Sequence, residues 1–244
     1  MKRLLCRLRA ALLALALPLS IAQANAATDP EIDRLLKKLP PPEKLVKRDP
    51  RAMNPSDPAL RDPLAAQIDA AVRGGKRKRA AEHARQLAAR HPRSAIAHAI
   101  HGFWVLDQKR YAEASSAFRR ALALQPQVTF CHYLLAVSEY EQKHFQTALP
   151  HIRRVTQQEP SASAAWMFLS VCAEAAGRLP ESLSAARRVT ALAPREPVAW
   201  LRLAKAEGAM GNQTAANNAL RRAIEMARAQ AKVKPASRPA KKTR

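Results

Sequence analysis

The stretch "AFRRALALQP", residues 117–126, returns as "HIRRVTQQEP" at 151–160 and "AARRVTALAP" at 185–194, each copy displaced from the one before by the same interval. A fixed 34-residue period marks an array of stacked supersecondary units rather than one closed core. Outside the quoted copies the period persists, because Pro92, Pro126, Pro160 and Pro194 keep that spacing.

Aligning the units on those prolines brings out further columns. Gly102, Ala136, Ser170 and Ala204 form one of small residues, and Ala80, Ala114, Ala148, Ser182 and Ala216 another. Ala84, Phe118, Ile152, Ala186 and Leu220 form a variable apolar column, and Leu87, Ala121, Val155, Val189 and Ala223 the next. Small side chains let two helix backbones approach closely, and larger ones fill the space beside them. The chain has only 6 glycines in 244 residues, and no sustained run alternates apolar and polar residues with β-branched enrichment, so an all-helical fold is expected.

This pattern resembles the tetratricopeptide repeat, and the resemblance covers residues 61–228 as five units: 61–94, 95–128, 129–162, 163–196 and 197–228. It is carried by "WMFLSVCAEAAGRLPESLSAARRVTALAP", with Trp166, Leu169, Gly177 and Pro194, and by "WLRLAKAEGAMGNQTAANNALRRAI", with Trp200, Leu203, Ala204, Gly211, Ala216 and Ala223. Repeat one departs from it at Gln67 and Ile68, and repeat five has Arg228 where the closing proline would fall. The resemblance implies an all-α, right-handed superhelical solenoid of helix-turn-helix units. Pro180 suits the first turn of its helix, whereas Pro150 falls deeper and is expected to kink its helix or shift the start.

Segments flanking the array differ in composition. Residues 1–26 carry a basic start, a short apolar run interrupted by Pro18 and small residues ending in "AQANA", the pattern of a Sec signal peptide cut after Ala26. The expected location is periplasmic, with secretion as the alternative, and no later segment is apolar enough to serve as a transmembrane anchor. Residues 27–60 are proline-rich and read as a semi-rigid linker. Within them, residues 29–39 ("DPEIDRLLKKL") space Ile32, Leu35, Leu36 and Leu39 on one helical face. Residues 229–244 form a basic tail, expected to be disordered when unbound.

Charge is distributed unevenly. The net charge is +23, and the concentrated part of it is the end: residues 228–244 hold seven basic and no acidic side chains. Along the array the paired arginines, Arg119-Arg120, Arg153-Arg154, Arg187-Arg188 and Arg221-Arg222, recur at the period. The second column is a routine cation near a helix C-terminus, which the helix dipole favours. The first column, Arg119, Arg153, Arg187 and Arg221, is expected on the convex side. It has two readings, a solvated row or a ladder for an anionic lipid surface or envelope polymer. Export argues against nucleic acid as the partner.

Catalytic chemistry finds no support. There is no nucleophile elbow, phosphate-binding loop or HExxH arrangement. His98, His101 and His132 could converge on a metal, but His98 and His132 occupy the column filled by Trp166 and Trp200, and His101 that of Leu135, Leu169 and Leu203. With no acidic partner evident, packing is the expected role, and neither metal nor cofactor is implied. Cys172 matches Ser138, about 10 Å of helix rise beyond Cys131, too far for a disulfide between parallel neighbouring helices. Two buried thiols are therefore expected.

What the resemblance implies about function is a non-enzymatic adaptor or assembly scaffold that binds a protein partner. In such arrays the first helix of each repeat lines the concave face, which here draws on Phe103, Leu106, Phe130, Tyr133, Val137, Tyr140, Met167 and Val171. Apolar side chains replace the basic and asparagine positions with which chaperone-binding members clamp a chain-end carboxylate. The expected ligand is thus an apolar or helical protein segment. The alternative reading assigns polyanion or membrane-surface binding to the arginine rows and the tail.

Overall fold

The computed structural model describes residues 56–233, with side chains through residue 230. Residues 1–26, read as a signal peptide, the segment 29–39 and the end of the basic tail lie outside the described residues. A short 3-10 helix, Pro58–Leu60, is followed by ten α-helices in five pairs. They are α1 (Pro63–Arg73) with α2 (Arg77–Arg90), α3 (Ala95–Asp107) with α4 (Tyr111–Leu124), α5 (Thr129–Glu141) with α6 (Phe145–Gln158), α7 (Ser163–Ala175) with α8 (Leu179–Leu192), and α9 (Pro197–Ala209) with α10 (Gln213–Val233). Each helix packs against its sequence neighbours, and some first helices also meet the first helix of the next pair. This is the all-α solenoid that the period implies. None of the described helices is long and apolar enough to cross a membrane.

Local signals account for the helix boundaries. Asp62 accepts the amide of Leu64 at 2.8 Å with Pro63 behind it, and Ser94 accepts that of Ala97 at 3.0 Å, so two first helices begin on side-chain caps. Within every pair the turn uses one left-handed residue, at Gly75, Lys109, Lys143, Gly177 and Gly211. That column keeps the repeat period although two of its members are lysines. Pro150 does not displace the start of α6: the helix runs from Phe145 through the proline to Gln158. At the far end α10 passes Arg228 and enters the segment read as tail.

The proline column also reaches further back than the four recurrences noted above. Pro58, the first residue of the 3-10 helix, stands one full period before Pro92. The turn seats Ala59, fully buried, in the same core as α3, and Asp57 caps it by accepting the Ala59 amide at 3.0 Å.

The core follows the columns. Phe118, Ile152, Leu87 and Val155 are fully buried, and the small residue opposite each bulky one is what lets the pair close up. At Gly102 the fit has no slack: an added Cβ would stand 2.9 Å from the Phe118 ring. One continuous apolar cluster runs from Ala59 to Ala185, and a separate small one joins Leu183, Ala186 and Ala206. The division falls where Arg202 takes the column of Ile100, Leu134 and Phe168. Its guanidinium, 7% exposed, is satisfied by Ser170 Oγ at 2.7 Å, Ser182 Oγ at 2.9 Å and the Glu174 carboxylate. Repeat five is therefore joined to repeat four by a hydrogen-bonded ionic seam, and the serines in the two small-residue columns are its acceptors.

Candidate interaction face

The eight residues expected to line the first-helix face divide into two groups. Phe103 and Leu106 on α3, and Tyr133 and Val137 on α5, are buried. Phe130 and Tyr140 on α5, with Met167 and Val171 on α7, are half-buried and present the accessible apolar surface. Leu106 retains only 1% of its surface and acts as core.

Two aromatic residues that column reasoning passed over complete this face. Phe168 lies 5.7 Å from the Tyr133 ring and 5.6 Å from that of Tyr140, and Phe145 lies 5.2 Å from Tyr140. Phe168 is buried in the column of Ile100, Leu134 and Arg202, and Phe145 opens a second helix, so neither belongs to the first-helix stripe expected to line the face. Burial, together with Cys172, Glu141 and Glu174 nearby, pushes the Tyr140 phenol up to about 12, leaving it neutral at physiological pH. Glu141 is also pushed up by burial, against a hydrogen bond from Tyr111 and the charge of Lys109. The result is a strip of rigid aromatic surface edged by carboxylates, the composition on which interfaces concentrate binding energy.

The first arginine column has a structural role. Arg119 donates to Glu139 at 2.7 Å, and Arg187 to Glu207 at 2.9 Å, in each case reaching the first helix of the following repeat. Arg153 would meet Ala173 there and instead makes a two-pronged bond to Glu181, 2.6 Å on each side. Among the described residues no further repeat follows Arg221, and it makes no ion pair there. Burial raises Glu139, but hydrogen bonds from Ser115, Thr147 and His144 and the Arg119 charge outweigh it and hold the carboxyl below its ordinary range. At Glu207 burial again acts upward, and Asn212 and Arg187 together outweigh it, so that carboxyl too is held low. Three of the four candidate anion-binding arginines are thus already committed to carboxylates of the array.

Two members of the second column lie over the tryptophan rings of the next column. Arg222 lies 4.1 Å from the centre of the Trp200 ring and Arg188 6.0 Å from that of Trp166. Each ring donates to the carbonyl of the proline that closes the preceding repeat. Trp166 bonds Pro160 at 3.0 Å, Trp200 bonds Pro194 at 2.9 Å, His98 Nε2 bonds Pro92 at 3.0 Å and His132 Nε2 bonds Pro126 at 2.9 Å. Since a carbonyl can only accept, both histidines carry their proton on Nε2 and replace an indole N–H. His132 Nδ1 is left to accept from His151 Nδ1 at 3.1 Å.

His101 does have an acidic partner, which the sequence did not disclose: Glu113 lies 3.1 Å from its Nε2. Among the described residues no group of three or more side chains is placed to hold a metal ion. Cys131 and Cys172 are separate, buried thiols; burial pushes Cys131 up to about 12 and Cys172 likewise upward, so both stay protonated.

An all-α solenoid of helix pairs, with an apolar aromatic face on its first helices, belongs to the class of repeat proteins that serve as protein-protein interaction scaffolds. The tetratricopeptide-repeat profile matches residues 65–129, 133–197 and 197–230, and the chain belongs to that family. Its fold is similar to a structure of MamA residues 41-end from Desulfovibrio magneticus RS-1, at 18% identity and TM-score 0.66, covering 72% of this chain and 98% of that one. Another MamA crystal structure gives 16% identity and TM-score 0.64, over 68% and 96% of the two chains. YrrB, described as a TPR protein with an unusual peptide-binding site, gives 21% identity and TM-score 0.62, over 67% and 84%. No curated protein matches in sequence.

Proposed function

We propose that the protein is a non-enzymatic adaptor or assembly scaffold of the bacterial envelope that captures an apolar, helical segment of a partner protein on its first-helix face. The observation that carries this reading is the half-buried strip of Phe130, Tyr140, Met167 and Val171, backed by Phe168. Aromatic side chains in such a position bury large area on binding at small entropic cost. The carboxylate of Glu141 at its edge favours a partner helix with basic flanks. The envelope setting rests on the leader-like residues 1–26.

The test is capture from envelope extracts by wild-type protein and by the doubly substituted Phe130→Ala/Tyr140→Ala chain. A folded double variant that retains its partners would exclude this face. N-terminal sequencing of the cell-derived protein checks the setting, with Ala27 expected as the first residue. Polyanion binding is the weaker reading. Arg119, Arg153 and Arg187 have carboxylate partners that an anionic polymer would have to displace, so it relies on residues 228–244.

A further inference from the structure

We propose that in the free protein the first-helix face is occupied by the chain's own residues 29–39, which an external partner must displace. This rests on the reading of that face as the partner site. The face is apolar across α5 and α7, where Phe130, Tyr140, Met167 and Val171 are half-buried, and such a strip is costly to leave in water.

Three observations select this occupant. The described chain enters the array through the turn Pro58–Leu60, which is seated against α3, so a first helix stands at the point from which the tether starts. Next, residues 29–39 carry Ile32, Leu35, Leu36 and Leu39 at the spacing of a single helical stripe, with Arg34, Lys37 and Lys38 between them to meet Glu141. A helix this short is marginal in water by itself and gains most from a surface.

Reach is the third. Residues 40–56 can extend about 3.3 Å each, whereas neighbouring helices lie only about 8–10 Å apart, so the tether spans several first helices with slack. A tether of this kind holds its end at an effective concentration on the order of a millimolar, enough to keep a weak ligand bound. The consequence is a built-in competitor: partners are excluded unless they bind better than the tethered segment.

The experiment places the photocrosslinker p-benzoylphenylalanine at position 140 of the chain freed of its leader. Crosslinks should map to residues 29–39 of the same molecule, persist on about tenfold dilution, and fall about tenfold in the Leu35→Asp/Leu36→Asp chain. Crosslinks that map elsewhere, or that join two copies and fade on dilution, overturn the proposal. A fluorescent peptide of residues 29–39 should bind the Leu35→Asp/Leu36→Asp chain about tenfold more tightly than wild type, because its site is vacated. Equal binding, or binding to neither, also overturns it. Both substitutions lie outside the array, so its melting temperature should not change. If the intrachain crosslink forms while Phe130→Ala/Tyr140→Ala leaves capture intact, the occupant stands and the partner reading falls. The converse result separates them the other way.

Discussion

Arg119 donates to Glu139 across a repeat boundary at 2.7 Å, and two repeats later Arg187 and Glu207 make the same bond at 2.9 Å. Their neighbours recur too: His144 lies 3.2 Å from Glu139, and Asn212 in the same column donates to Glu207 at 2.7 Å. The intervening boundary has Ala173 in place of the glutamate, and there Arg153 turns to Glu181. The arginine column is thus a set of inter-repeat ties whose acceptor alternates between two positions.

Removing a tie should cost stability where the carboxylate is buried and nothing where there is none. Arg119→Ala and Arg187→Ala are expected to lose about 1–3 kcal/mol each, since they leave a buried acceptor short of a donor. Arg221→Ala should stay within about 0.5 kcal/mol. Urea unfolding of the three variants is the measurement. An Arg221→Ala loss equal to that of Arg119→Ala would remove the tie as the explanation of the column.

Acid should weaken the fold in two stages. Burial lowers His101, His132 and His151, so each is neutral in the fold but takes a proton in the unfolded chain below its ordinary value of about 6.5. Stability from these groups is complete above that value and is lost as pH falls from it towards their depressed folded values. Glu139 and Glu207, held low in the fold, contribute fully above about 4.5 and lose that contribution below it. Melting temperature recorded from pH 8 to pH 3.5 should fall gently, then steeply. A flat profile down to pH 5 would contradict the assignment of the histidines.

His132 is held as a substitute indole, and His132→Trp should therefore stabilise. The new ring keeps an N–H for the Pro126 carbonyl and gains Arg154 as a cation in the place that Arg188 and Arg222 take over Trp166 and Trp200. A gain of about 1 kcal/mol is expected, together with a shallower loss between pH 6.5 and 5. His132→Phe provides the ring without the donor and should fall about 1 kcal/mol below His132→Trp in chemical denaturation. Equal stability of the two would mean that the proline carbonyl bond contributes nothing.

Much of this molecule was legible because a repeating period converts one observation into five. Columns of small and bulky residues and the unpaired cysteines could be read from spacing, and the turn glycines Gly177 and Gly211 from the family resemblance. Illegible were the features that depend on which column meets which across a boundary. Arg119 needs Glu139 opposite it, and Arg153 finds Ala173 there, so the sequence shows an unexplained arginine in both cases. The face was half legible for a related reason: residues on one helical stripe share a direction, but how deeply Tyr133 sinks while Tyr140 remains accessible depends on Phe168 from the next repeat. Glu113 beside His101 likewise sits on the partner helix of its pair, at a spacing that no single-helix pattern reveals.

The turn column gives the last prediction. Gly75, Gly177 and Gly211 adopt φ of 67°, 74° and 82°, and Lys109 and Lys143 adopt 60° and 64° in the same place. A left-handed conformation crowds Cβ against the following carbonyl, at a cost of roughly 1 kcal/mol that glycine does not incur. The two lysines are retained at a standing penalty, with the turn fixed by the helices on either side. Lys143→Gly should accordingly raise stability by about 0.5–1 kcal/mol, partly offset by glycine's greater freedom in the unfolded chain. Gly177→Ala should lower it by about 1 kcal/mol, although nothing lies within 4 Å of the added Cβ, so that loss reports backbone conformation and not a clash. Gly102→Ala makes the contrast, because its φ is ordinary and its Cβ meets the Phe118 ring at 2.9 Å. Replacing Phe118 by Leu in the same chain should restore part of the Gly102→Ala loss and none of the Gly177→Ala loss, as read by thermal melts of the four variants.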